Sequence, residues 1–395
     1  MRRIPIASNG RSSHHRFGVI RPSRSLSRGG EFIMLVSPTH ARAVAACRDC
    51  RGTSVWRRSG VVPIVLRNRG ERMDRKGRTP WIVRACVTAV LVFLLPLVVR
   101  PQSEKNDFRA GTQIVLLGTG TPSPDPERSG PSTAIVVNGT PYLIDFGPGV
   151  VRRAAAASQR GVKGLTVVDL RVAFLTHFHS DHTAGYPDLI LTPWAVGRSH
   201  PLDVYGPRGL KHMTDHILDA YREDIAIRRR DKQTLGVPEQ AEGYNVKAHE
   251  ITPGIVYKDA NVTVSAFLVN HGDVPQAFGY RFETPNRRIV ISGDAAPSQS
   301  IIESCNGCDV LIHEAYSMMT YNGVSPRYQE YRRKHHTSSR EVAEIATKAK
   351  PGLLILYHRA NPGGVGRPNP EQVLLEEVRQ LYGGKVVIGH DLDVF

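Results

Sequence analysis

Three histidines and one carboxylate fall within six residues of the stretch Thr176-His177-Phe178-His179-Ser180-Asp181-His182-Thr183. Neutral imidazoles and carboxylates are donors that zinc, iron and manganese accept. His177 and His179 are two apart, so in extended backbone their side chains point the same way and can share one metal. Asp181 and His182 come after the chain has turned and can reach a second metal close by. His271, Asp294, His313-Glu314 and His358 repeat the same placement, each at the end of an apolar run. Residues that converge at strand ends form sites even when far apart in sequence.

The elements that must deliver these residues are legible. Residues 172–175 run apolar into the central motif and read as a buried strand. Residues 113–117 form a strand ahead of the sharp turn Gly118-Thr119-Gly120-Thr121-Pro122. No G-x-G-x-x-G fingerprint follows, so no nucleotide or other organic cofactor is expected. Residues 132–145 read as a hairpin around Asn138-Gly139, with Asp145 ending its second strand. A helix is expected over about 149–160 and a strand over 202–207. Residues 208–230 read as one helix with Met213, Ile217, Ala220 and Tyr221 on its apolar face. Arg228-Arg229-Arg230 read as a solvated helix end rather than a phosphate clamp. Residues 231–249 are polar and irregular and are expected to cover the site mouth. Strands at 262–269, 278–283, 288–292 and 310–312 lead to His271, Asp294 and His313-Glu314. A helix from near Ser338 to about Ala349 precedes strand 353–357, which delivers His358. A helix at 370–382 and a strand at 385–389 close the chain. Strand runs followed by helices, twice over, predict an α/β (α+β) fold with two sheets packed face to face, an αββα sandwich.

The spacing His-x-His-x-Asp-His resembles the signature of the metallo-β-lactamase superfamily, and the resemblance covers roughly residues 112–395. It implies that His177, His179 and His271 hold one metal, that Asp181, His182 and His358 hold another, and that Asp294 bridges both. Two divalent ions are then expected: zinc by default, with manganese or iron fitting the same donors. Asp145 and His313 are expected to support the ligands from behind. Gly118-Thr119-Gly120-Thr121-Pro122, His313-Glu314-Ala315 and His336-Thr337-Ser338 resemble the ribonuclease Z branch and its arylsulfatase relatives. The resemblance makes His336 the general acid and Glu314 its hydrogen-bond partner, with Asp181 orienting the nucleophile. His335 is not expected to take part. Two features depart from ribonuclease Z. Tyr316 replaces the last residue of His-Glu-Ala-Thr, and only 22 residues separate His271 from Asp294, where that family inserts a tRNA-gripping arm. The expected function is therefore a two-metal hydrolase that cleaves a small phosphate or sulfate ester with a metal-bridging hydroxide. The alternative is a ribonuclease Z-type 3′ tRNA-processing endoribonuclease, and lactone or β-lactam hydrolysis ranks third. A small-molecule ester is the expected partner, with nucleic acid second.

Charge is unevenly spread. The net charge is +16, but residues 1–100 hold 20 of the 52 Lys and Arg and only 4 of the 36 acidic residues. The other 295 residues carry 32 of each sign, which gives no overall support for a polyanion groove. Residues 1–72 are rich in Arg, Ser and Gly without periodicity and read as disordered or as an over-long gene start before Met73. Residues 73–101 read as a signal peptide or N-terminal membrane anchor: residues 85–99 are uncharged and apolar, and 81–99 could engage a membrane. Fifteen residues suit a signal peptide better than a full span, which needs about 20. Either form places the catalytic domain outside the cytoplasm, periplasmic, secreted or anchored. Of the five cysteines, Cys47-x-x-Cys50 and Cys305-x-x-Cys308 lie too far apart to suggest a shared zinc. Cys305 and Cys308 are left between a disulfide and buried thiols, and the oligomeric state is not legible.

Overall fold

The computed structural model describes residues 111–236, 242–358 and 370–395. These belong to the second of two units, Val99–Phe395. The segments 1–72 and 73–101 and the apolar run 85–99 lie outside the described residues. No helix among the described residues is long and apolar enough to cross a membrane.

The first half builds a six-stranded sheet in the order β1-β2-β3-β4-β5-β6. Its strands are β1 (Thr112–Gly118), β2 (Ser132–Val137), β3 (Thr140–Ile144), β4 (Val172–Phe174), β5 (Leu202–Gly206) and β6 (Val246–Glu250). Between them run α1 (Val150–Gln159), the short α2 (Ser180–Thr183), α3 (Tyr186–Ala195), α4 (Leu210–Ala220) and α5 (Arg222–Thr234). The β2–β3 hairpin turns at Asn138 and Gly139, φ 51° and 79°, the positive values a two-residue hairpin needs.

The second half builds a seven-stranded sheet in the order β13-β12-β11-β10-β9-β8-β7. It contains β7 (Gly254–Lys258), β8 (Thr263–Val269), β9 (Ala277–Glu283), β10 (Arg288–Ile291), β11 (Val310–Glu314), β12 (Leu353–Tyr357) and β13 (Val386–Ile388). Its helices are α6 (Gln299–Cys305), α7 (Met318–Asn322), α8 (Pro326–His335), α9 (Ser339–Ala349) and α10 (Pro370–Arg379). Ser338 and Glu341 form a reciprocal capping box that starts α9 where the sequence placed it.

Strand alternation creates the layers. On β1, Ile114 and Leu116 face the second sheet, while Val115 and Leu117 pack under α1. A third cluster joins Leu311, Leu354 and Leu356 to α6, α9 and α10. Three cores between four layers make the αββα sandwich that the strand pattern predicts.

Several local expectations are corrected. The helix expected over 208–230 breaks at Tyr221 into α4 and α5. Met213 and Ile217 pack on the core, but Ala220 and Tyr221 face solvent. Arg228-Arg229-Arg230 lie inside α5 rather than at a helix end, and Arg228 pairs with Asp224 at 2.9 Å. Part of the irregular 231–249 stretch is ordered: α5 runs to Thr234 and residues 246–250 form β6, the edge of the first sheet. Gly243 packs on Arg198, whose guanidinium donates to the Gly243 carbonyl, so this part braces α3 instead of covering the site. The sequence reading did not find β7, α6, α7 or α8. Cys305 and Cys308 form a disulfide across the end of α6, with Asn306 and Gly307 at positive φ between them.

Candidate metal centre

The sheets meet where the central motif leaves β4. Thr176 ties the layers together: its carbonyl accepts from the Phe278 N–H at 3.0 Å, while its own N–H donates to Asp145 Oδ1 at 2.8 Å. Two donor clusters form beyond it, beside a third group made of Asp294, Glu314 and His336. His177, His179, His271 and Asp294 converge in one; Asp181, His182 and His358 converge in the other. Within each, the nearest side-chain N or O atoms lie within 4.8 Å of one another. Asp294 stands between them, with Oδ1 3.3 Å from His182 Nε2 and 3.5 Å from His358 Nδ1. All seven predicted ligands are therefore brought together from four strand ends.

The second nitrogens of the rings are fixed. The His182 Nδ1–H donates to Asp145 Oδ2 at 2.8 Å, leaving Nε2 to face the cluster. Asp145 also accepts from Thr176 Oγ1 at 3.0 Å and adopts φ 60° to do so. His271 Nδ1–H donates to the His335 carbonyl at 2.7 Å. This requires a close approach, because Gly272 has φ 58° and any Cβ there would overlap the His335 ring. His358 sits at φ 44°, where side chains are strained, and its Nε2 lies 3.0 Å from Asp181 Oδ2.

A cation fits this arrangement. His177 Nε2, His179 Nδ1 and His271 Nε2 point at one another over 3.0 and 3.2 Å, and one shared hydrogen cannot satisfy three ring nitrogens. Burial holds the His177 imidazole well below its usual pKa and His271 down at about 4, so both are neutral and ready to donate a lone pair. Asp294 Oδ1 is buried without a hydrogen-bond partner. Asp145, Asp181, Asp294 and Glu314 are all buried, and no Lys or Arg pairs with any of them among the described residues. Buried carboxylates without cations are costly. Burial alone would lower the His182 pKa, yet Asp294 and Asp145 hold it well above normal. This negative field is what divalent ions would neutralise.

At the edge of the clusters, His336 Nδ1–H donates to Glu314 Oε1 at 2.8 Å. The same oxygen accepts from the Ala295 N–H at 2.9 Å. Burial pushes the Glu314 carboxyl up, but two donors on one oxygen favour its ionised form. Burial would lower the His336 pKa; the Glu314 charge and hydrogen bond outweigh it and raise the imidazole to about 9. His336 is thus a protonated group with its Nε2 edge free of Glu314. His313 is placed differently. By strand alternation it shares the helix-facing side of Leu311, and its Nδ1–H donates to the Glu314 carbonyl at 2.7 Å. No hydrogen bond joins it to the seven clustered residues. Sequence reasoning missed Thr176, Gly272 and the His335 carbonyl as supports. The glycine after His271 is the sequence signal for the close approach of Gly272 and His335.

Residues 140–359 match the family described as Beta-lactamase superfamily domain. The chain is 31% identical over 283 residues to Ribonuclease Z of Mycobacterium bovis (strain BCG / Pasteur 1173P2), covering 71% of this chain and 96% of that one. It is 32% identical over 287 residues to Ribonuclease Z of Mycobacterium marinum (strain ATCC BAA-535 / M), again 71% and 96%. Among solved structures, the metallo-beta-lactamase fold protein YhfI from Bacillus subtilis superposes with TM-score 0.52 at 20% identity, covering 72% of this chain and 98% of that one. Human tRNase Z, short form, superposes with TM-score 0.50 at 22% identity over the same shares. These two establish the fold. The chain belongs to the metallo-β-lactamase superfamily. It is a metal-dependent hydrolase acting on ester bonds, with relatives named Ribonuclease Z.

Proposed function

We propose that the chain is a ribonuclease Z-type endoribonuclease that hydrolyses a phosphodiester bond at the 3′ side of an RNA such as a tRNA precursor. The observation that carries this reading is the match to proteins named Ribonuclease Z along nearly their whole length. His177, His179, His271, Asp181, His182 and His358, with Asp294 between, would hold two divalent ions, zinc by default. Such ions would supply a hydroxide at neutral pH and would neutralise charge on the attacked phosphate. The chain's own groups do the rest. Asp145 keeps His182 oriented, and the His335 carbonyl does the same for His271. Asp181, bonded to His358, orients the nucleophile. His336, held by Glu314, gives its proton from Nε2 to the departing oxygen.

A second reading is a small phosphate or sulfate ester cleaved outside the cytoplasm. Three observations favour it, the first being that the 22 residues between His271 and Asp294 are taken up by β9, β10 and their turn, with no projecting arm. The Cys305–Cys308 disulfide supports an oxidising compartment, as does the apolar run 85–99. The test is turnover of a precursor tRNA, an aryl sulfate and a bis-aryl phosphodiester by the zinc-loaded protein. Release of a 3′ trailer from the tRNA is expected. Turnover of the small esters without any RNA cleavage would replace the first reading with the second.

A further inference from the structure

Helix α8 carries rings at positions 328, 331 and 335, a spacing that sets them on one face. They stack in series. Tyr328 and Tyr331 have centroids 5.7 Å apart and planes within 17°; Tyr331 and His335 lie 4.2 Å apart and within 21°. The series ends at the metal centre, where His335 stands edge-on to His271 at 5.4 Å and Tyr331 edge-on to His336 at 5.9 Å.

The stack is held from behind but open in front. The buried Arg332 guanidinium lies 5.1 Å from the Tyr328 centroid and 5.3 Å from that of Tyr316. His335 rests on Gly272, and its Nδ1–H donates to the Tyr331 carbonyl at 2.9 Å. Yet Tyr328 and Tyr331 remain 44% and 40% exposed. Ordered aromatic surface left open to water, leading to a reaction centre, suits a flat partner. His335 also lines a cavity of about 680 Å³ with Phe178, His179 and Arg208, so the series opens into space beside the first donor cluster. Charge accompanies the rings. Arg327 and Lys334, four and three residues from Tyr331, are exposed on the side of the rings, and among the described residues Arg327 has no carboxylate partner; Arg333, two residues from both Tyr331 and His335, lies on the other side of the helix. Among the described residues Lys334 pairs with Glu330, at 3.6 Å.

An exposed aromatic column beside a cation such as Arg327 is a means of gripping single-stranded nucleic acid. We propose that α8 is a base-stacking platform: an unpaired base of an RNA strand leading to the scissile phosphate extends the Tyr328–Tyr331–His335 column at its Tyr328 end, while Arg327 faces the backbone of that strand. This rests on the ribonuclease reading above and adds the single-stranded segment as the feature recognised. On this reading α8 supplies grip that an arm between His271 and Asp294 would otherwise provide.

The test is binding of a short single-stranded oligoribonucleotide containing 2-aminopurine to the full, zinc-loaded chain, read by fluorescence quenching. Tyr328→Ala with Tyr331→Ala should weaken binding tenfold or more and abolish the quenching. Tyr328→Phe with Tyr331→Phe should retain both, because stacking needs the ring and not the hydroxyl; circular dichroism confirms that both variants fold. An oligonucleotide with abasic sites should bind the natural protein as weakly as the intact one binds the alanine variant. Equal affinity of the natural protein and the alanine variant would overturn the platform, as would loss of binding in the phenylalanine variant. Failure of the ribonuclease reading looks different: quenching without cleavage of any RNA removes that function and keeps the platform. No binding at all removes the platform whatever the enzyme cleaves.

Discussion

At the scale of single residues, the site separates proton transfer from charge neutralisation. His336 and Glu314 form the one pair at the centre built to deliver a proton. His336→Ala should lower kcat by roughly 10²–10⁴ on an ester with an alkoxide leaving group. The loss should be far smaller with a nitrophenolate, which departs without a proton. Equal losses on both substrates would remove His336 from the role of acid. Glu314 sets when that acid is loaded. It holds His336 at about 9, and the acid works only while protonated. In Glu314→Gln burial prevails, the pKa falls, and the alkaline limb of the kcat/KM profile should move to lower pH. An unmoved limb would assign that limb to another group. Asp145→Asn removes the carboxylate that orients His182, and metal affinity should fall by roughly 10–100-fold, measured by competition with a chelating dye.

At the scale of elements, the centre depends on close approach between the β8–β9 connection and the end of α8. The Gly272 N–H donates to the Lys334 carbonyl at 2.9 Å, and the His335 ring covers its Cα. Gly272→Ala should cost about 1–2 kcal/mol for the left-handed backbone and a further ~1–3 kcal/mol for overlap with His335. Gly139 provides the comparison. It also has positive φ, at 79°, but nothing lies within 4 Å of a Cβ there. Gly139→Ala should therefore incur the backbone cost alone. Equal losses of melting temperature in the two variants would show that His335 yields freely.

At the scale of the whole molecule, two sheets place four buried carboxylates around one centre. Metal that binds only the folded chain stabilises it by about 2.7 kcal/mol at a hundred times its dissociation constant. Chelation should abolish hydrolysis and lower the melting temperature, and added zinc should restore both. Rebinding should also release protons to solvent, because His182 and His358, held above their usual pKa by Asp294 and their neighbouring carboxylates, must lose theirs before the ring nitrogens can bind the metal. A melting temperature indifferent to chelator would mean that the folded clusters have no preference for the ion.

The residues of the centre and the strands that end at them were readable along the chain, because both are local. Spacings of two and three residues placed His177, His179, Asp181 and His182, and apolar runs marked β4, β8, β10, β11 and β12. The Asn138-Gly139 turn and the start of α9 were legible for the same reason. Other features depend on contacts between distant segments. The break at Tyr221 is invisible in a pattern that stays polar and helical on both sides. Edge strands β6 and β7 are mostly half-exposed and lack the continuous apolar run of a buried strand. His313 and Glu314 are adjacent in sequence, yet pleating sends their side chains to opposite faces, and only Glu314 bonds His336. His358 meets Asp181 across 177 positions of chain, and His335 gains its place only by resting on Gly272. Sequence alone determined which donors exist and which strands carry them. Tertiary structure decided which donors face one another, since that follows from the packing of two sheets rather than from any spacing within one.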